Sequence, residues 1–282
     1  MRRVAALFVA AALLAGAPVD AKRHHHVAVK EGKDVPATAS TLHPELTATP
    51  ETLALWAQRR AELEARNYSR PTPEQLVELG FTQGKELGSG TFGVDVSSWV
   101  GESTWACMKG KGYTFAIVRE FQETCNVDPN GVHSVANAWA GGMAHVDVYL
   151  FPSYGCGISA ATQMDRTIDS MGSIPFGTVW IDIESGGQGS AANNHAWLMA
   201  ALAQGVKRIG AKRMGVYSSR YEWGLVMGGY SGPTEYPIWY ANYDGVPSFA
   251  NFPSFAGWTR PAMKQFAGSS GMCSASVDLN WY

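Results

Sequence analysis

The chain lacks the marks of several common protein classes. Lys and Arg number 22 against 24 Asp and Glu, for a formal net charge of −2. That balance points to neither nucleic acid nor an anionic membrane surface as partner. No apolar run reaches the ~18–20 residues of a membrane-spanning helix. Cysteine is scarce, at Cys107, Cys125, Cys156 and Cys273. No His or Cys stands at an obvious ligand spacing from the acidic residues discussed below, which argues against zinc. No metal and no cofactor is expected. What the chain does have is 282 residues, 46% of them hydrophobic and 11% aromatic. A single α/β barrel of about 200–250 residues fits within that length.

The N-terminus reads as an address. Arg2 and Arg3 precede VAALFVAAALLA, a run suited to the ~7–15-residue apolar region of a signal peptide. Val19-Asp20-Ala21 is the better cleavage pattern, so residues 1–21 are expected to be removed. Secretion would place the four Cys in an oxidising compartment as two disulfides. Their spacing does not choose among the three possible pairings. Residues 22–90 then form a leader or pro-segment. Its first part is polar and poor in aromatics, as a solvated tail is, and the run His24-His25-His26 falls within it. Thr49 and Pro50 open a helical pattern carrying Leu53, Trp56 and Leu63. Asn67-Tyr68-Ser69 is a glycosylation sequon.

From Phe92 the pattern becomes regular. Strand-like TFGVDVSSW, YTFAIVRE, HVDVYLFP, GTVWIDIE and RMGVYSS each lead into a helical segment. YPIWYANYD, AMKQFAG and VDLNWY follow as short strands without helices. Alternation of this kind implies a parallel sheet covered on both faces, and eight strands close a small barrel. The expected fold is α/β, an irregular TIM-like barrel of five βα units followed by three strands, over residues 91–282.

Barrels of this type carry function at the C-terminal ends of their strands. Asp182 and Glu184 stand at such an end in VWIDIESGG, where residues i and i+2 share a face about 6.6 Å apart. Two carboxylates that close repel, so one ionises readily and the other holds its proton to higher pH. Glycoside cleavage needs that division of labour. Asp95 ends the first strand and Asp278 lies on the last, which closure makes its neighbour. All four could converge on one mouth. Four carboxylates could also hold a hard cation, a rival reading.

GVDVSSW, DVYLFP, VWIDIE, MGVYSS, PIWYANYD, KQFAG and VDLNWY, in this order and spacing, resemble glycoside hydrolase family 25, the Chalaropsis-type lysozymes or N,O-diacetylmuramidases. FAIVREFQETCNVDPN and NAWAGGMAHVDVY are most similar to its secreted eukaryotic branch. The resemblance implies the five-unit barrel and cleavage of the β-1,4 bond between N-acetylmuramic acid and N-acetylglucosamine in bacterial peptidoglycan. It implies Glu184 as proton donor and Asp182 as the carboxylate that orients the substrate acetamido group. It further implies Asp95 and Asp278 as site aspartates and Tyr149 as a cleft tyrosine. Gln122 stands where bacterial members often carry a Glu. The expected partner is peptidoglycan, with no nucleic acid and no membrane. The expected state is a monomer, secreted or delivered to a lysosome or digestive vacuole. A chitin-oligosaccharide hydrolase and a non-catalytic carbohydrate binder are the alternatives.

Among the aromatics, Trp99, Trp180, Trp239, Tyr240 and Tyr243 could stack on sugar rings. Trp180 and Trp239 lie inside strands and suit the core. Tyr240 and Tyr243, near a strand end, are the better cleft candidates. Asp147, deeper in its strand than Tyr149, suits a structural hydrogen bond, and His133, His145 and His195 read as ordinary.

Overall fold

In the computed structural model the described residues are 49–65, 90–185 and 189–282. They fall within one compact unit, Glu45–Tyr282. The signal-peptide reading, the His run and the sequon lie outside them.

Among the described residues there are nine strands: β1 (Phe92–Val96), β2 (Tyr113–Gln122), β3 (Asn126–Val127), β4 (His145–Leu150), β5 (Val179–Asp182), β6 (Met214–Ser218), β7 (Ile238–Ala241), β8 (Met263–Met272) and β9 (Ala275–Trp281). The helices are α1 (Pro50–Ala65), α2 (Glu102–Gly110), α3 (Gly131–Ala140), α4 (Ala160–Asp169), α5 (Ala191–Ile209) and α6 (Arg220–Met227). Eight strands form a closed ring in the order β1-β2-β4-β5-β6-β7-β8-β9, sealed by β9 against β1. β3 hangs from the end of β2. Neighbours in the ring are parallel except for β9, which runs against both β8 and β1.

Alternation along each strand sorts the apolar residues into two layers. Val179, Ile181 and Ile183 join the large cluster under the helices, whereas Trp180 joins Phe115, Ile117, Tyr149, Tyr217, Trp239 and Met263 in the lumen. An eight-stranded lumen is just wide enough to be filled by side chains. Here it takes large rings because the wall is bare beneath them. A Cβ on Gly93 would lie 2.3 Å from Phe115, and one on Gly215 would lie 2.4 Å from Trp180. Trp239 sits centrally, 4.5 Å from the Tyr217 ring and 5.9 Å from that of Trp180. Asp147 has the structural role expected of it. Its carboxylate accepts from the Thr178 amide and from Trp180 Nε1, each at 2.9 Å.

The loops above the strands end in serine caps. Ser159, Ser190 and Ser219 accept from the amides of Thr162, Asn193 and Glu222 to start α4, α5 and α6. Disulfides pair Cys107 with Cys273 and Cys125 with Cys156. The first ties α2 to the β8–β9 turn; the second ties the β2–β3 turn to the loop after β4. Outside the barrel, α1 buries Trp56 in the outer apolar layer. Arg59 lies over the Trp139 ring, and Arg60 donates to the Ser173 carbonyl. The helix is therefore a packed part of the barrel's coat.

Candidate active site

The mouth is assembled where β1, β9, β8, β6 and β5 end or cross. Asp95 and Asp278 are paired directly across β1 and β9. Asp95 is buried, and its Oδ1 accepts from Gln265 Nε2 at 2.8 Å and Asn280 Nδ2 at 2.6 Å. Asn280 is held in turn, since Trp239 Nε1 donates to its Oδ1 at 2.8 Å. Asp278 accepts the Ser269 amide at 2.6 Å and Gln265 Nε2 at 3.3 Å. The Ser269 contact depends on irregular register in β8 and on a positive φ of 51° at Ser269 itself. Such strain in a non-glycine residue gathers at functional sites.

Asp182 ends β5 facing the lumen side, as its alternation with Ile181 and Ile183 requires. Glu184 lies beyond the last paired residue of β5, not within the strand as the sequence pattern suggested. The Ile183 amide still donates to the Tyr217 carbonyl, so the alternation carries through and Glu184 keeps the face of Asp182. Glu222, at the third position of α6, accepts the Ser185 amide at 2.7 Å and fixes the backbone just past Glu184.

The electrostatics follow from burial. Asp182 holds its proton well above the ordinary aspartate range. Burial is the main cause, followed by Glu184, Asp95 and Glu222, while Arg119 pulls the other way. Asp95 is pushed up by burial and by Asp278, against the hydrogen bonds of Asn280 and Gln265. Asp182 Oδ1 is buried with no hydrogen-bond partner among the described residues. The Tyr154 hydroxyl, on the loop after β4, is buried in the same state, and its proton is held by burial and by the charge of Asp182.

The expected tyrosines divide. Tyr149 is in the lumen, with burial raising its pKa and Arg119, Asp182, Asp95 and Glu184 all within its field. Tyr243 donates to Gln265 Oε1 at 2.7 Å and feels Asp278, Asp95 and Glu184. Tyr240 is not in the cleft. It points to the outer layer, 2% exposed, with its ring edge-on to Phe252 at 4.9 Å. In IWYA the period of two gives the lumen to Trp239 and so turns Tyr240 outward. Trp99 is exposed on the loop after β1. Gln122 ends β2 and accepts from Thr124 at 3.2 Å.

Sequence reasoning passed over Gln265, Asn280, Tyr217 and Arg119. Tyr217 donates to Gln265 Oε1 at 2.8 Å. Arg119 is pinned by Asp128 at 2.8 Å and by the Ser97 carbonyl at 2.9 Å, and it is the cation within reach of both Tyr149 and Asp182. Each lies in one of the motifs quoted above. Arg119 and Gln265 lie inside their strands rather than at the ends, so position gave them no signal.

A closed α/β barrel with clustered carboxylates at its strand ends has the arrangement that a barrel glycosidase needs. Comparison with known proteins narrows the class. The family model "Lys-1: Lysozyme-like protein 1" matches residues 87–266. A probable GH family 25 lysozyme 2 of Dictyostelium discoideum is 41% identical over 192 residues, covering 67% of this chain and 90% of that protein. The structure of a family GH25 lysozyme from Aspergillus fumigatus superposes with a TM-score of 0.57 at 16% identity, over 69% of this chain and 94% of that one. A bacterial lysozyme from Streptomyces coelicolor gives 0.56 at 23% identity, over 69% and 92%. The chain belongs to the glycoside hydrolase family 25 lysozymes, and it is a glycoside hydrolase.

Proposed function

We propose that the chain is a secreted muramidase that hydrolyses the β-1,4 bond between N-acetylmuramic acid and N-acetylglucosamine in bacterial peptidoglycan, with net retention and no covalent glycosyl-enzyme. The supporting barrel is read as five βα units followed by β7, β8 and β9. The observation that carries the mechanism is the buried Asp182 Oδ1, without a partner among the described residues and two residues from Glu184. A buried acceptor lacking a donor is costly, so a ligand N–H that supplies one is favoured there. The substrate acetamido group carries such an N–H beside the reacting carbon.

Glu184 protonates the glycosidic oxygen. The acetamido carbonyl oxygen attacks the anomeric carbon as the leaving sugar departs, which is the substrate-assisted exception among glycosidases. Asp182 steadies the N–H as positive charge builds on the amide. Water then opens the cyclic intermediate, returning its proton to Glu184. Asp95 and Asp278 bind the substrate and set the field, and Tyr149 and Tyr243 line the cleft. The two disulfides suit an oxidising compartment, outside the cell or in a digestive vacuole.

The test is digestion of purified peptidoglycan, with fragments read by mass spectrometry and early products by proton NMR. Muramic acid at the new reducing end, appearing first as the β anomer, is expected. Chitooligosaccharide release without wall cleavage would replace the substrate. An α anomer appearing first would mean inversion and overturn the mechanism.

A further inference from the structure

The Gln265 side chain is 2% exposed and uses both ends of its amide. Its Nε2 donates to Asp95 at 2.8 Å and to Asp278 at 3.3 Å. Its Oε1 accepts from Tyr217 at 2.8 Å and from Tyr243 at 2.7 Å. The amide thus bridges two like-charged carboxylates on β1 and β9 and two phenols on β6 and the loop after β7. Direction matters. A phenol within hydrogen-bond distance of an amide oxygen must give its proton, because that oxygen has none to offer. The two hydroxyls are also hydrogen-bonded to each other, so the Gln265 oxygen, Tyr217 and Tyr243 form one shared network. A flipped amide would set its oxygen against the Asp95 carboxylate, and the amide of Asn280 already donates to the same Asp95 oxygen.

We propose that Gln265 is a positioning residue for the glycosidase reaction, its single amide holding Asp95 and Asp278 together while anchoring the network in which Tyr217 and Tyr243 present their hydroxyls to substrate. The proposal rests on the muramidase reading. It adds that the acidic pair and the tyrosine pair act as one unit. Asp95 reaches Tyr243 and Tyr217 through one side chain, so a change in its charge is felt at both hydroxyls.

Gln265→Glu isolates the donor half, because it keeps the volume and one acceptor oxygen and replaces the Nε2 donor by a carboxyl oxygen. At the variant's own pH optimum, kcat/KM against peptidoglycan should fall by about tenfold or more, the scale of a lost proton-positioning contribution. Both limbs of the pH profile should move to higher pH, since an added negative charge favours the protonated form of every nearby carboxyl. Because the added charge moves the limbs by itself, the discriminating readout is kcat/KM measured at the variant's own pH optimum, which a merely structural role would leave within about threefold of wild type. A folded Gln265→Glu with kcat/KM inside that range would overturn the proposal.

A measurement on the wild type needs no variant enzyme to be active. The Nε2 proton resonances of Gln265 should shift in step with carboxyl titration between about pH 3 and pH 8, the span of perturbed carboxyls in proteins. Resonances that stay fixed over that span would overturn the proposal, even where Gln265→Glu does not fold. Should the wild type release no muramic-acid fragments, the functional reading fails, and the amide titration alone then decides the role of Gln265.

Discussion

Glu184 and Asp182 differ in what surrounds them more than in what they are. Asp182 is buried, paired with Tyr217 of β6, while Glu184 is half-buried at the rim. Glu184→Gln removes a proton and almost no volume. It should leave the melting temperature unchanged and lower turnover by ~10²–10⁴, the scale of a general acid–base step. Retention of more than about a tenth of wild-type turnover of peptidoglycan would remove Glu184 from that role. Asp95→Asn tests the field instead. Burial first, and then Glu184 and Asp95, hold the proton on Asp182. The mechanism needs Asp182 ionised, so the acid limb of kcat/KM should lie above the ordinary aspartate range. Removing the Asp95 charge lets Asp182 ionise more easily, and the limb should move to lower pH with kcat reduced less than about tenfold. An unmoved limb would mean that Asp182 does not govern it. The carboxylates were legible in the sequence because a charged residue ending an apolar strand is unusual. Gln265 was not. In AMKQFAG the lysine looks like the exposed residue, yet Lys264 is buried under the outer layer, neutralised by Asp244 at 2.8 Å, and the glutamine takes the lumen.

At the scale of elements, strand and helix order could be read from alternation and glycine punctuation, whereas the face of a strand could be read only where one face is polar. β5 carries Asp182 after Ile181 and settles its own orientation. β7, as IWYA, is apolar on both faces, so nothing in its sequence sends Trp239 inward and Tyr240 out; the choice belongs to packing against Trp180 and Tyr217. The disulfides were equally hidden, because Cys107 and Cys273 meet only through the closure of β9 on β1. α1 poses the reverse case. Its helical pattern was plain and its attachment was not. Since Trp56 is 5% exposed against the outer layer, Trp56→Ala should cost about 3 kcal/mol, the lower end for truncating a buried tryptophan. Among the described residues α1 packs through Trp56, Arg59 and Arg60 on the outer layer, away from the lumen. The folded variant should therefore keep its kcat, and chemical denaturation with activity assayed in parallel checks both. A stability change below about 0.5 kcal/mol would mean that the helix lies loosely on the surface in solution.

At the scale of the whole molecule, two covalent ties work on the closed ring. The Cys107–Cys273 bond spans 166 residues and crosses the seam where β9 meets β1; the Cys125–Cys156 bond spans 31 and braces one side of the mouth. Replacing Cys107 and Cys273 together by Ser should cost about 2–4 kcal/mol, read as a lower denaturation midpoint, and an unchanged midpoint would mean the bond does not form in solution. Burial of acid is the other molecule-wide term. Glu120 is fully buried outside the lumen, on the irregular stretch of β2, where Ser170 donates to its Oε1 at 2.6 Å. Burial pushes its pKa well up, Ser170 draws it partly back, and Asp128 raises it further. Asp95 and Asp182 are shifted in the same direction, burial again leading. Each of these groups binds its proton more tightly folded than unfolded. Their contribution to stability is complete below the unfolded carboxyl range of about 4 and is lost as pH rises through the raised folded values. Asp244 opposes them, since hydrogen bonds from Lys264 and Asn251 outweigh its burial and lower its pKa, but it is more exposed and better screened. Glu120→Gln keeps the acceptor for Ser170 and carries no charge to desolvate. Its melting temperature relative to wild type should therefore be higher at pH 7 than at about pH 4, where the wild-type carboxyl is protonated too. A difference that does not change between the two pH values would show that Glu120 titrates alike in the folded and unfolded chains.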